Sequence, residues 1–148
     1  MKPLLQIYLL TFGFCVQAQT NFYANITNLW YQGYKTNVLA IANARLAQNS
    51  NDIAGLILKM EYHLAFSEMS EMSNSFWRVV NVGETITTPN FAAEFPSKKE
   101  HLINILDSIN ENPLSPAELI EEQSKGNIIH KPLPAVLIEA LQKDGYFD

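Results

Sequence analysis

One apolar stripe constrains this chain more than any other feature. Ile53, Leu56, Ile57, Met60 and Leu64 recur at i, i+3, i+4, i+7 and i+11, the period of one face of an α-helix rather than the alternation of a strand. A face so apolar has to be covered, and the flanking stretches carry the same period. Phe22, Ile26, Leu29 and Trp30 mark a helix within residues 21–33. Over 34–48, a second runs through Val38, Ile41 and Ala42, with Leu39 and Leu46 alongside and alanines that let a neighbour come close. Asn49-Ser50-Asn51-Asp52 then forms a turn, with Asp52 placed to cap the helix of 53–66. Met69, Met72, Phe76, Val79 and Val80 define a fourth helix, ending before Gly83.

The second half reads less sharply. Residues 84–96, with Thr85, Thr87, Thr88, Pro89 and Pro96, read as a long loop. Ser97 is placed to cap a fifth helix carrying Leu102, Ile105, Leu106 and Ile109, which Asn112-Pro113 stops. Ser115-Pro116-Ala117-Glu118 is a capping box for a short helix to 124, and the prolines at 132 and 134 keep the following segment extended. Leu133, Val136, Leu137, Ala140 and Leu141 mark a last helix with Gly145 as its stop. Short turns join consecutive helices as antiparallel neighbours. The expected fold is all-α, built of antiparallel helical hairpins, with six or seven helices.

Residues 1–18 read as a secretory signal peptide: Lys2 is a short positive start, Leu4 to Val16 is mostly apolar, and Val16-Gln17-Ala18 precedes the cut. Cleavage is expected between Ala18 and Gln19, leaving one domain over 19–148 that is secreted or periplasmic. As a helix the apolar run would rise roughly 20 Å, short of the roughly 30 Å of a bilayer core, so no stable membrane anchor is expected. The bulky Phe14 before Cys15 also speaks against lipidation. Cys15 is the only cysteine and would leave with the leader, so apolar burial alone must hold the mature domain together.

Ten basic residues less Lys2 leave nine against 15 acidic ones, a net charge of −6 with histidines neutral. Such a surface repels a phosphate backbone, and no basic cluster relieves it. Nucleic acid is therefore not an expected partner. Asn25-Ile26-Thr27 fits a glycosylation acceptor, which matters only in a eukaryotic secretory route.

Gly33-Tyr34, the small Ala42, the apolar Leu46 and the Asn49-Ser50-Asn51-Asp52 turn resemble the tetratricopeptide repeat, a helix-turn-helix unit of about 34 residues. Residues 53–66 would then begin a second unit, so that the likeness runs over 33–82, with residues 97–148 as further C-terminal helices. The chain departs from the pattern at Ser50, where proline is usual, at Val38, where alanine is typical, and at Met60, near the expected glycine. The resemblance implies binding of a peptide or protein partner in a concave groove.

Residue chemistry offers no comparable lead. His63, His101 and His130 lie on separate elements, and Glu61 and His63, two apart on a helix, point to different sides. His63 reads as a half-buried helical residue and His101, beside Glu100, as part of a solvated face. His130, beside a proline-rich stretch, has no identifiable partner. Glu118 and Glu122, with Glu121 between them, and the pair Glu68 and Glu71 read as solvated helix surface. No nucleophile elbow, phosphate-cradling loop or dinucleotide fingerprint is present, so no catalytic residue, cofactor or metal site is assigned. The aromatics remain. Phe76 and Trp77 diverge by about 100° on their helix and cannot share a core direction. Trp30 and Phe76 are expected in the core, with Tyr31, Tyr34 and Trp77 as candidate partner-binding residues; Tyr146-Phe147 either docks on the domain or offers a tail.

The sequence thus points to an exported binding or assembly module acting on a protein or peptide. The alternative is a small cell-envelope hydrolase or ligand-binding enzyme whose site is assembled from distant residues. A third reading is a structural subunit completed by its own copy, a homo-oligomer.

Overall fold

The computed structural model describes residues 22–66, 68–111, 117, 118, 121 and 133–147. The leader, the cleavage site at Ala18 and Gln19, His130 and most of the short helix expected after Ser115 lie outside these residues. The described residues form six helices and no strand: α1 Phe22–Tyr31, α2 Lys35–Gln48, α3 Ile53–Ala65, α4 Met69–Gly83, α5 Pro89–Glu111 and α6 Leu133–Lys143. The all-α reading is correct.

α3 is the centre of the bundle. It packs between α2 and α4, and α6 lies against it as well as against α1 and α5. Because neighbours cover it on several sides, its burial extends beyond the stripe to Ala54, Gly55, Leu58, Glu61, His63 and Ala65. Leu56 and Met60, the heart of the stripe, are fully buried, with Val38, Ala42, Phe76 and Leu141 in the same core. Successive helices α2, α3 and α4 are joined by short turns and pack as hairpins.

The α2–α3 seam is close because both sides are small. A Cβ on Gly55 would meet the carbonyl oxygen of Ala42 at 3.1 Å and Leu46 Cγ at 3.0 Å. The Asp52 side chain caps α3 as expected, accepting a 2.8 Å hydrogen bond from the Gly55 N–H. Gly33, in the α1–α2 turn, has φ +86°, and Gly145, after α6, has φ +77°, a region that glycine enters without steric cost.

The long loop of 84–96 is a correction. α5 begins at Pro89, so the connection spans only 84–88, and Ser97 lies inside the helix instead of capping it. Pro89 suits a first helical position, where its missing N–H would have no intrahelical partner anyway. Phe91 and Phe95, one turn apart, are both buried and stack with centroids 5.1 Å apart. Pro96 is exposed within the helix. The cap of α5 comes from the far end of the chain. Asp144 accepts hydrogen bonds from the Asn90 N–H at 3.0 Å and the Phe91 N–H at 2.9 Å, two of the orphan donors of the first turn.

Candidate functional site

The ends of the α2–α3 hairpin differ in chemistry. At the α2–α3 turn, Arg45 makes a two-pronged ion pair with Asp52, Nε to Oδ2 at 2.6 Å and Nη2 to Oδ1 at 2.9 Å. Tyr146 adds a hydroxyl donor to Asp52 Oδ1 at 3.3 Å. The Arg45 guanidinium also lies over Phe22 and Phe147, 5.4 and 5.0 Å from their ring centroids, and those rings stack on each other at 4.2 Å. Burial works to raise the Asp52 pKa, but hydrogen bonds from Arg45 and the Gly55 N–H outweigh it and hold the carboxyl below its ordinary value. Burial, with the charge of Asp52 beside it, raises the Tyr146 phenol. The Tyr146-Phe147 segment therefore docks on the domain. This end is a lock in which each charged group has its partner.

The opposite end, at the α1–α2 turn, is open and aromatic. Lys35, the first residue of α2, places its Nζ 4.9 Å from the Trp30 ring centroid and 5.8 Å from that of Phe66. Tyr62 packs on Phe66 at 4.7 Å. Tyr31 and Tyr34, either side of the turn, are 69% and 55% exposed, and Phe66 is 46% exposed. Trp30 is half-buried, a correction to its expected place in the core: it lies at the edge with a lysine above it.

Beneath this surface lies Glu61. It is buried in α3 and its Oε2 has no hydrogen-bond partner among the described residues. Desolvation pushes its pKa up to about 8 against the pull of the Lys35 charge, so the carboxyl is mainly protonated at neutral pH.

His63 points to another side of α3. It is buried, not half-buried, and its Nδ1 lies 2.5 Å from Glu68 Oε2 at the start of α4. Its Nε2 is buried without a hydrogen-bond partner among the described residues. His101 is exposed, as are Glu118 and Glu121. Among the described residues no three of His, Cys, Asp and Glu gather in a way that could hold a metal ion. No helix among them is long and apolar enough to cross a membrane.

Of the aromatic candidates, the fold brings Tyr31 and Tyr34 to one turn and leaves Trp77 apart. Trp77 is 53% exposed on α4, edge-on to the buried Phe76 at 5.0 Å. Its neighbour Arg78 donates to the backbone carbonyl of Ser50, in the α2–α3 turn at the locked end. The residues that sequence reasoning did not single out are Lys35, Glu61 as a buried acid, and Phe66. One sign was available for Glu61, which follows Ile57 by four and precedes Leu64 by three and so flanks the apolar stripe.

Comparison with protein-family models, with curated proteins and with solved structures returns no match.

Proposed function

We propose that this chain is an exported helical module that binds or assembles a protein or peptide partner, with the α1–α2 end as its contact surface. The observation that carries the reading is the gathering of Tyr31, Tyr34 and Phe66, all exposed, around Trp30 and Lys35. Large aromatics with polar handles dominate interface energetics, and a folded domain that leaves several of them at one end gives a partner rigid anchors. The tetratricopeptide-like reading of 33–82 belongs to this proposal. It draws on three successive hairpin-packed helices and on the small-residue approach of Ala42 to Gly55.

Affinity capture from native extract with residues 19–148 tests it, using three baits whose folding is verified by circular dichroism. The wild type and Trp77→Ser should retain the same partner, and Tyr31→Ser/Tyr34→Ser should lose it. Loss with Trp77→Ser alone would move the surface to α4, and identical retention by all three baits would overturn the reading.

A small hydrolase draws on one observation, the His63–Glu68 contact that orients the imidazole. Against it, no hydroxyl among the described residues is hydrogen-bonded to the buried Nε2. Labelling by a fluorophosphonate probe that disappears in His63→Gln would favour this second reading.

A further inference from the structure

Two groups act on the Lys35 ammonium, the aromatic faces over which it lies and the buried Glu61, whose proton affinity its charge lowers. On one side are the faces of Trp30 and Phe66, over which its Nζ lies. On the other is Glu61, buried in α3 with an Oε2 that has no hydrogen-bond partner among the described residues. While Glu61 holds its proton, the pull of the rings is the stronger one. Once it ionises, an unpaired carboxylate in a desolvated position is far more costly than a lost contact between the ammonium of the half-buried Lys35 and two aromatic faces. A lysine side chain has four flexible methylenes with which to respond.

The other charges near α3 are otherwise engaged. α1 carries none. On α2, Arg45 is paired with Asp52 at the far end, about 15 Å along the helix from Lys35. On α4, Glu68 contacts His63, which lies about 200° around α3 from Glu61; Glu71 is exposed, and Arg78 reaches Ser50. On α6, Glu139 and Lys143 pair with each other at 3.1 Å. On α3 itself Asp52 is held by Arg45, and Lys59 has no part in setting the Glu61 proton affinity, which burial and Lys35 determine.

We propose that Lys35 is a two-position cover for the aromatic end: it lies over Trp30 and Phe66 while Glu61 is protonated and withdraws to Glu61 when that carboxyl ionises, uncovering both rings. The consequence for the partner surface rests on the binding reading above; the movement does not. Mildly alkaline conditions give a more apolar α1–α2 end, and neutral or acidic conditions a cationic one.

The test needs no partner. In a Trp77→Phe background Trp30 is the sole tryptophan, and its emission is followed from pH 6 to pH 9, alongside the carboxyl carbon of Glu61 by NMR. The expected result is one transition in both signals with a common midpoint near 8, the Trp30 transition being absent in Glu61→Gln and in Lys35→Met. A Trp30 transition that survives Glu61→Gln, or a Glu61 titration that Trp30 does not follow, overturns the proposal. So does a wild-type carboxyl that shows no transition in this range. If the movement is found and no partner is retained by capture, the binding reading alone has failed.

Discussion

The ring of Phe95 fills the space that a Cβ on Gly83 would need, its Cζ, Cε2 and Cε1 lying 2.5, 2.8 and 3.0 Å from that point. Phe95 is buried and stacked on Phe91, so the ring has no free direction in which to swing. Gly83 therefore sets how closely the end of α4 meets α5. Gly83→Ala should cost about 1–3 kcal/mol through overpacking, although alanine is the better helix former. Phe95→Leu in the same chain should recover part of that loss. Urea unfolding of both single variants and the double variant measures the coupling, and strictly additive effects would refute direct contact.

Asp144 gives the fold an acid limit. Partial burial raises its pKa, but hydrogen bonds from the Asn90 and Phe91 N–H groups and the Asn90 side chain outweigh this and take it down to about 2 from an ordinary 3.8. A depressed carboxyl contributes stability that is fully present above 3.8 and is lost as pH falls toward 2. Asp144→Asn should lower Tm by a few degrees at pH 6, and the gap to wild type should close as pH approaches 2. A gap that stays constant to pH 2 would show that the cap does not depend on ionisation.

The readable part of this fold was local. The stripe of α3 and its Asp52 cap lie within a few turns of chain, and the divergence of Phe76 and Trp77 follows from helical rotation alone; Phe76 is buried and Trp77 exposed. The start of α5 was hidden because its cap, Asp144, is 54 residues from Asn90, while Thr85, Thr87, Thr88 and two prolines carry the composition of a loop. The adjacency of Thr88 and Pro89 was the sign, the same pattern that marks Ser115-Pro116. Of the open end, Tyr31 and Tyr34 were legible as aromatics at a helix boundary. The meeting of Trp30, Lys35, Glu61 and Phe66 was not, because it exists only once the first three helices have packed.

The Arg45–Asp52 pair separates capping from charge. Asparagine is as good a cap as aspartate, so Asp52→Asn keeps the hydrogen bond from Gly55 and loses the ion pair, whereas Asp52→Ala loses both and leaves the guanidinium with only its aromatic neighbours. The expected costs are about 1 kcal/mol for Asp52→Asn and about 2–3 kcal/mol for Asp52→Ala. Equal losses in guanidinium chloride unfolding would mean that the cap contributes nothing beyond the pair.

Leu56 and Met60 face the packed centre of the bundle with no exposure. An aspartate at either position would bury an unpaired charge, a penalty of several kcal/mol that exceeds much of a domain's net stability. Leu56→Asp and Met60→Asp should each abolish the cooperative thermal transition seen by circular dichroism. A normal transition in either variant would remove that residue from the core face.

Glu61 sets the opposite limit to Asp144. Its folded pKa of about 8 lies above the ordinary 4.5, so the unfolded chain releases the proton first as pH rises. The sign is therefore negative: stability is greatest below 4.5, declines by up to about tenfold in the unfolding constant per pH unit through that interval, and levels off above 8. Glu61→Gln preserves the shape of the protonated carboxyl and cannot ionise, so its stability should match wild type below about pH 4.5 and exceed it by about 2–4 kcal/mol at pH 8. Urea titrations at pH 5, 6, 7 and 8 measure the divergence. Parallel curves would mean that Glu61 ionises in the folded protein as readily as in the unfolded chain, and the burial seen in α3 would then have to open in solution. Diverging curves would place the most stable state of this domain between the two limits, above the Asp144 transition and below about 4.5, where the unfolded chain begins to release the Glu61 proton.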